Sequence, residues 1–438
     1  MCSSLESAYQ ALYTEFLAKS RHNDIPKSPV ARARLRALID QTRKDLQLCS
    51  EIPICNQISR VLEFEESLFA PIRILPSEVL TEIFQLVIET SSKPGIIYTS
   101  WKSPKLSGCI FMLTWICFWW RDEALSNSTF WSRIAVRYSG SSHAPPKVAA
   151  FLNECILRSG VLAPMRIGIY IERTDFFPSI AALLVAQVHR WRQAVLSFHY
   201  LQRIESLDSV DSLFPFDPST HFPLLEDLSF NSDEPTIANR ILECYPPLRK
   251  LELSELSESS INVIAGQKLK ILKVGRYSGV SLARLLHMCP CLESLTLESF
   301  EFKGNPGINQ ITCRSSLSTL HIGVEDNAYK VQNGAWTGVT LPKLSKLDVT
   351  LPDLIDDENW ETAYEPGTSL SELKEVVKQS KCALQRVNLI MYYGKEPQFT
   401  LEIADKFFED LPVKAEGSFV ESKLLQEWRE DVEETIDE

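Results

Sequence analysis

The sequence lacks the long apolar segment that a membrane-spanning helix needs. Its longest apolar run, Cys109 to Trp120, falls well short of the about 20 residues that cross a bilayer as a helix. No signal peptide is expected, because Glu6 and Glu15 interrupt the region where an apolar core would lie. We therefore expect a soluble chain with no membrane partner, located in the cytoplasm and/or the nucleus.

Common motifs of catalysis and metal binding are also missing. There is no glycine-rich phosphate loop, no His-Glu-x-x-His zinc helix and no Gly-x-Ser-x-Gly nucleophile turn. The closest cysteines, Cys289 and Cys291, have neither the spacing nor the second pair that a zinc site needs. The sequence therefore predicts a protein that is not an enzyme, with no metal and no cofactor, although distant residues can also assemble a site.

The sequence has fewer basic than acidic residues. The chain has 45 Lys and Arg against 57 Asp and Glu, a net charge of −12. A surface for nucleic acid needs a concentrated positive field, so we expect no nucleic-acid partner. The eleven cysteines are odd in number and scattered through apolar runs, which indicates buried free thiols in a reducing compartment.

With 438 residues, the chain is long enough for two or three domains. Residues 1–70 carry apolar residues at helical spacing, interrupted near Pro53. Residues 71–138 contain an apolar-faced helix that opens at Pro76, then a loop-like insertion at 91–108, then one strongly apolar helix from Leu113 to Leu125. The Ser-, Gly- and Pro-rich stretch from Ser139 to Pro146 predicts a domain boundary.

The rest of the chain has a repeated pattern, Leu-x-x-Leu-x-Leu, in which other apolar residues can replace leucine. Its starts are separated by 23, 21, 23, 25, 27 and 40 residues, and they lie at Leu225, Leu248, Leu269, Leu292, Leu317, Leu344 and Leu384. A single triplet arises by chance, but the near-constant interval is typical of leucine-rich repeats, which recur every ~20–29 residues. Helices that end before Pro246 and Pro290 precede two of the units.

We therefore predict a repeat domain over residues 150–415, followed by an acidic C-terminal tail at 416–438 that caps its end. The alternative is a plain α/β domain with several parallel strands. The repeats also depart from the family pattern, because the asparagine or cysteine that normally follows the strand is missing: Leu297 leads into Glu298.

Within each repeat, the residues that flank the second apolar position should point away from the core, because strand side chains alternate between faces. They are Asp227/Ser229, Lys250/Glu252, Ile271/Lys273, Ser294/Thr296, Thr319/His321, Lys346/Asp348 and Arg386/Asn388. These residues either form a partner-binding face or are merely soluble surface. Our candidates for contacts with a partner protein are Lys250, Ile271, Lys273, Thr296, His321, Lys346 and Arg386.

The stretch Pro71–Phe84 resembles the opening of an F-box. Its second half matches the family in order: Leu113–Arg121 with its Trp-Arg pair, then Ala124-Leu125, then Phe130–Ile134. The helices before the box and the irregular repeats after it resemble F-box proteins of the kind abundant in mushroom-forming fungi. The insertion at 91–108 departs from the short loop of a minimal F-box.

The resemblance implies an α+β multidomain fold, with N-terminal helices and a helical F-box followed by an irregular leucine-rich-repeat-like α/β solenoid. It also implies contacts with a Skp-type adaptor, and through it a cullin. The residues expected to make them are Leu75, Pro76, Val79, Leu80, Ile83, Phe84 and Trp131. The alternative is that these side chains form the chain's own core.

The function that the resemblance implies is substrate recognition in a cullin-type ubiquitin ligase. The box would hold the adaptor, and the repeats would hold a target protein whose identity the sequence does not reveal. The alternative is a non-catalytic interaction scaffold that does not engage a ubiquitin ligase.

Overall fold

A computed structural model divides the chain into two compact units, Met1–Arg137 with Ala144–Met165, and Tyr138–His143 with Arg166–Glu438. We refer to them as unit 1 and unit 2. The structure describes residues 2–21, 28–49, 52–91, 96–99, 104–138, 146–171, 178–198, 220–232, 236–244, 246–264, 268–279, 282–302, 312–324, 335–351, 369–391 and 418–419.

Unit 1 begins with three helices, α1 (Cys2–Arg21), α2 (Pro29–Leu48) and α3 (Ile52–Ser67). The Ser28 side chain caps α2, and Pro53 lies in the first turn of α3, where a missing N–H leaves no helical hydrogen bond unmade. Helix α3 packs against both α1 and α2. Their shared core contains Tyr9, Phe16, Leu35, Ile39, Ile54, Ile58, Val61 and Leu68.

The buried face of α3 also carries a carboxyl group. Glu65 is fully buried beside Thr42, and neither of its carboxyl oxygens has a hydrogen-bond partner among the described residues. Burial raises the pKa of Glu65 to about 7, because the charged form loses its hydration; the Thr42 hydroxyl partly opposes this, and the nearby Glu66 adds to it. The bundle therefore folds around a carboxyl that is protonated below neutral pH.

The remainder of unit 1 follows a 3-10 turn at Pro71–Ile74. Its elements are α4 (Ser77–Thr90), β1 (Ile96–Thr99), β2 (Pro104–Ser107), α5 (Cys109–Ile116), α6 (Phe118–Ser126), a 3-10 turn at Ser128–Trp131, β3 (Arg133–Tyr138) and α7 (Pro146–Arg158). Helix α7 belongs to unit 1, whereas our sequence boundary at residue 150 placed most of it in the repeat domain. Its Phe151 ring lies 5.6 Å from the ring of Phe111, which ties α7 to α5.

Two sequence predictions in this region were wrong. The insertion at 91–108 contains an antiparallel hairpin, β1 with β2, and β1 lies between β2 and β3 in the sheet. The apolar run from Leu113 to Leu125 is two helices, because the backbone is extended at Cys117. The Cys117 thiol accepts a hydrogen bond from the Trp120 amide and so caps the start of α6.

Unit 2 is dominated by strands of one sheet. Its elements are β4 (Met165–Ile171), α8 (Pro178–Val185), a 3-10 turn at Val188–Arg190, β5 (Trp191–Phe198), β6 (Asp227–Ser232), α9 (Thr236–Glu243), β7 (Lys250–Ser257), α10 (Glu258–Ile264), β8 (Ile271–Gly279), α11 (Leu282–Met288), β9 (Ser294–Phe302), β10 (Cys313–Arg314), β11 (Thr319–Val324), β12 (Val339–Thr340), β13 (Lys346–Leu351), α12 (Ser369–Ser380), β14 (Arg386–Met391) and β15 (Ser418–Phe419).

The large sheet of unit 2 runs in chain order, β4-β5-β6-β7-β8-β9-β11-β13-β14-β15. Among the described strands, each neighbouring pair from β5 to β15 is parallel. The α+β class is thereby confirmed, with a large parallel sheet in place of a closed barrel. Strand β5, which begins at Trp191 before the first repeat, is in register with β6.

A second layer follows the same order as the sheet. Helix α9 contacts α10, α10 contacts α11, α11 contacts β10, β10 pairs in parallel with β12, and β12 contacts α12. Each sheet strand from β6 to β13 is thus followed by one second-layer element. In two units that element is a short strand instead of a helix.

The repeated leucines lie between the two layers. In the six units that begin at Leu225, Leu248, Leu269, Leu292, Leu317 and Leu344, all three apolar residues of the pattern are at most 5% exposed. The helices α9 and α11 end before Pro246 and Pro290, as the sequence predicts. Of the tail at 416–438, only Ser418–Phe419 is described, so the predicted cap lies outside the described residues.

Adjacent strands approach most closely at Gly323. A Cβ atom there would overlap the backbone carbonyl of Glu298 on the neighbouring strand, next to a shift in register between β9 and β11. Gly275 has a similar role, since its Cβ would lie 2.6 Å from the Ser254 carbonyl oxygen. These glycines permit a backbone approach that any side chain would prevent.

Ten cysteine side chains are described, and all of them are free thiols. Within the described part of the chain, no helix combines the length and apolarity needed to cross a membrane.

The first prediction concerns the buried carboxyl of Glu65. The folded chain keeps this proton up to about pH 7, whereas the unfolded chain releases it near pH 4.5. The folded state therefore binds more protons in that interval, and the stability of the bundle should fall by about 3 kcal/mol as the pH rises through it. Hydrogen exchange of the α3 amides between pH 4.5 and 8 measures this change.

Glu65→Gln should flatten that pH dependence, and the exposed Glu63→Gln serves as the matched control. A steep pH dependence that survives Glu65→Gln would assign the effect to another group.

The second prediction concerns Gly323. Gly323→Ala should lower the free energy of unfolding by about 1–3 kcal/mol, because the new methyl group has to push two strands apart. Thr319→Ala, at the partly exposed start of the same strand, should change it by less than about 0.5 kcal/mol. Urea denaturation of both variants makes the comparison. Equal stabilities would show that the two strands separate freely.

Candidate partner-binding surfaces

The inner face of α4 forms the centre of the box-like module. Leu80, Phe84 and Ile88 recur at every fourth residue and are buried. The Phe84 ring lies 4.8 Å from the ring of Trp120 and 6.1 Å from that of Phe130. The two halves of the sequence motif therefore meet in one aromatic core.

Three motif side chains bind the carbonyl groups at helix ends. Arg121 Nε donates to the Thr114 carbonyl oxygen at 2.9 Å, across the break between α5 and α6. Trp131 Nε1 donates to the Ala124 carbonyl oxygen in α6 at 2.8 Å. The carbonyls of a helix's last turn lack partners within the helix, so these bonds stabilise the ends.

The third of these side chains is Arg133, whose Nη1 donates to the Ile88 carbonyl oxygen near the end of α4 at 3.0 Å. Trp131 is further enclosed by Arg158, whose guanidinium lies 5.3 Å from the ring centre. The Trp-Arg and Trp-Ser-Arg motifs thus hold the module together.

These positions correct part of our sequence prediction. Leu80, Phe84 and Trp131 are buried in the module's own core, so a partner cannot contact them in this conformation. Of the other expected adaptor contacts, Pro76 and Val79 are exposed, and Leu75 and Ile83 are half-buried.

The outer face of α4 is apolar too. Val79, Ile83, Leu86 and Val87 lie at helical spacing on a face that adjoins the buried one, and Leu86 is 61% exposed. A surface helix normally carries polar residues there. Helix α4 therefore has a second apolar face that no described residue covers fully.

Helix α5, which contacts α4, has an exposed apolar face of its own. Met112, Trp115 and Ile116 have the spacing that places them on one side of the helix, and Trp115 is 71% exposed. Our sequence prediction missed Leu86, Met112 and Trp115. The i, i+3, i+4 spacing of the α5 residues was a usable signal, but Leu113 and Thr114 beside them proved to be the buried ones.

Unit 2 presents a different kind of surface, two rows of mostly polar side chains. Strand pairing aligns Asp227, Lys250, Ile271, Ser294, Thr319, Lys346 and Arg386, which we call row 1. It also aligns Ser229, Glu252, Lys273, Thr296, His321, Asp348 and Asn388, which we call row 2. The predicted register is confirmed, and all seven candidate partner-contact residues lie in the two rows.

Row 2 is organised by internal polar contacts. Lys273 Nζ lies 3.0 Å from a carboxylate oxygen of Glu252 and 2.8 Å from one of Glu298. Hydrogen bonds to Glu298 and then Glu252 raise the pKa of Lys273, because they favour its charged form. The three residues line a shallow depression of about 270 Å³.

The far end of row 2 is less exposed. Asn388 is buried, and its Nδ2 donates to Asp348 Oδ1 at 2.5 Å. His321 Nε2 lies 3.4 Å from the Thr350 hydroxyl, and burial lowers the pKa of His321 because the charged imidazolium is poorly hydrated there. Asn388 thus keeps its place in row 2 but, unlike the other described members of the row, is covered.

Row 1 has an exposed apolar residue at Ile271, which is 42% exposed among polar neighbours. Among the described side chains, no group of three or more His, Cys, Asp or Glu is arranged to hold a metal ion. The chemistry that the described surfaces offer is contact with another molecule: apolar on α4 and α5, and polar with mixed charge on the strands.

No protein-family model matches the chain, and the curated proteins contain no significant match to it.

The third prediction tests the structural role of Trp131. Trp131→Phe keeps an aromatic ring but removes the hydrogen bond to the Ala124 carbonyl, so it should lower the free energy of unfolding by about 1–2 kcal/mol. Trp115→Phe is the matched control, because Trp115 is largely exposed and should tolerate the change. Chemical denaturation of the two variants gives the difference. If both substitutions have the same effect, Trp131 does not support α6 in this way.

Proposed function

We propose that this chain is a substrate-recognition subunit of a cullin-type ubiquitin ligase. Residues 71–138 serve as an F-box that binds a Skp-type adaptor, and unit 2 binds the target protein. The observation that carries the proposal is the broad apolar surface of α4: one part of it fills the module's core, and the adjoining outer part remains exposed.

The outer faces of α4 and α5 support an adaptor contact on physical grounds. Exposed apolar side chains at helical spacing are suited to a helical partner, which can bury them in a groove. Trp115 and Leu86 are large apolar side chains that are mostly exposed on these faces. Tryptophan is a frequent anchor at protein interfaces. Pro76 and Val79, which the F-box resemblance names, lie at the start of the same helix.

For unit 2 we propose a leucine-rich-repeat-like solenoid. The recurring interval, the buried leucine triplets and the chain-order sheet with its second layer support this architecture. The single face of two aligned rows is the proposed surface for the target.

In this proposal the chain catalyses nothing. It raises the local concentration of the target near the enzyme that transfers ubiquitin, and the rate gain depends on holding both partners at once. The second candidate function is an interaction scaffold that binds no adaptor. The exposed apolar face of α4 argues against the scaffold, because a helix with no partner would carry polar residues there.

Co-purification with a Skp-type adaptor is the fourth prediction and the test of this proposal. Leu86→Asp combined with Trp115→Ala should weaken the complex more than 10-fold, because both side chains lose the apolar contact and the aspartate would have to be desolvated. Leu162→Asp is the matched control, since Leu162 is an exposed leucine of unit 1 outside these helices.

Binding of the full-length variants to immobilised adaptor, with thermal unfolding as a check of folding, gives the answer. An adaptor that is not captured by the unmodified chain would support the scaffold. An adaptor retained equally by both variants would place the contact elsewhere.

A further inference from the structure

The basic side chains of the strand face differ in which charged residues lie next to them. Lys273 in row 2 is held between two carboxylates, so its charge is already compensated. Lys250 in row 1 has Asp227 as its register partner on the next strand. Lys346 and Arg386, at the other end of row 1, are register partners of each other.

The pair of Lys346 and Arg386 has no direct ion pair. Both side chains are exposed, and within the described residues neither makes an ion pair or a side-chain hydrogen bond. Asp348, two residues after Lys346 on the same strand, keeps its charge, but its carboxylate contacts Asn388. Like charges directly opposite each other in a sheet are destabilising, so this arrangement is unfavourable until an anion joins it.

Two further cations lie at the same end of the sheet. Lys343 and Lys381 are exposed residues of the turns that lead into β13 and β14, and the structure gives neither side chain a partner among the described residues. Lys346 and Arg386 thus begin two adjacent strands, and Lys343 and Lys381 lie in the turns that precede them, in a chain whose net charge is −12. We call Lys343, Lys346, Lys381 and Arg386 the basic corner.

Row 1 also supplies an apolar contact at a defined distance. Ile271 lies three strands from Lys346 along the row, which is about 14 Å at the usual spacing of ~4.8 Å between strands. Ser294 and Thr319 lie between them and can donate or accept hydrogen bonds. An extended peptide covers that distance in about four residues.

We propose that row 1 and the basic corner bind an extended acidic segment of the target protein. An apolar side chain of the target packs on Ile271, and carboxylates about four residues away in its sequence pair with Lys346 and Arg386. The inference rests on the proposed function, since it names the chemistry of the target at the strand face. Arg386 offers a planar fork suited to a carboxylate, and Lys346 adds a point charge.

The test uses the full chain and a fluorescein-labelled peptide with one leucine and two glutamates beginning four residues after it. The fifth prediction is that Lys346→Gln with Arg386→Gln weakens binding at least 10-fold at low salt, and that glutamines in place of the peptide's glutamates have the same effect. Binding should also weaken as salt rises, because exposed charges are screened. Fluorescence anisotropy measures all three.

Arg34→Gln with Lys44→Gln is the matched control, since it removes two exposed cations from α2 in unit 1 and should leave binding unchanged. Ile271→Ser should weaken binding several-fold by removing the apolar contact. A second readout concerns stability: the Lys346 and Arg386 substitutions should leave the chain as stable or slightly more stable, because they remove the repulsion between like charges.

Equal binding of the acidic and the glutamine peptides would overturn the inference. So would strong binding of a phosphoserine version with none of the glutamate version. Binding that appears only after removal of residues 420–438 would mean that the chain's own acidic C-terminus is the ligand, and would also overturn it. Adaptor capture without peptide binding would refute this inference alone, whereas peptide binding without adaptor capture would refute the ubiquitin-ligase proposal alone.

Discussion

The structure of unit 2 depends on one constraint, the alignment of buried apolar residues from strand to strand. Leu251, Leu272 and Leu295 are register partners in successive strands, and all are buried. Because side chains alternate along a strand, a slip of one residue would move every leucine of that strand to the polar face. The register is therefore fixed by burial, and the polar rows are its consequence. This is why the surface of the sheet follows from the core pattern.

That dependence explains how much of unit 2 could be predicted from its sequence. The interval between triplets and the alternation within them were enough to place the rows residue by residue. The second layer was harder to predict from the sequence, because its short strands β10 and β12 occupy the places that helices occupy in the other units. Two residues such as Cys313 and Arg314 carry no periodic signal, and only their pairing with Val339 and Thr340 defines them. The buried Asn388 was also missed, because its burial depends on a hydrogen bond to Asp348 on the neighbouring strand.

In unit 1, the sequence identified the motif residues, and the structure buries Leu80, Phe84 and Trp131 among them. A helix whose apolar residues extend beyond one face shows no contrast from which its packed face can be read. The face of α4 with Leu80 and Phe84 is buried, and the face with Val79 is not. The reason is that Trp120 and Phe130, from distant parts of the sequence, pack against Phe84. Similarly, Trp131 owes its buried position to a carbonyl of α6 and to Arg158 of α7. The hairpin in the insertion could not be predicted for another reason: its strands are only four residues long, too short for a clear pattern.

The two candidate surfaces differ in how favourable their contact with water is in the isolated chain. The exposed side chains of α4 and α5 are apolar, so water contact is unfavourable for them, and a lasting complex is the state that relieves it. The strand face is polar and partly self-compensated, as the pairing of Lys273 with Glu252 and Glu298 shows, and it is stable in water without a partner. A substrate receptor needs this division, because its adaptor contact has to persist while targets bind and leave. Among the described residues of the strand face, Lys346 and Arg386 face each other as like charges and Ile271 is an exposed apolar side chain, and these are the contacts that the proposed reversible ligand would use.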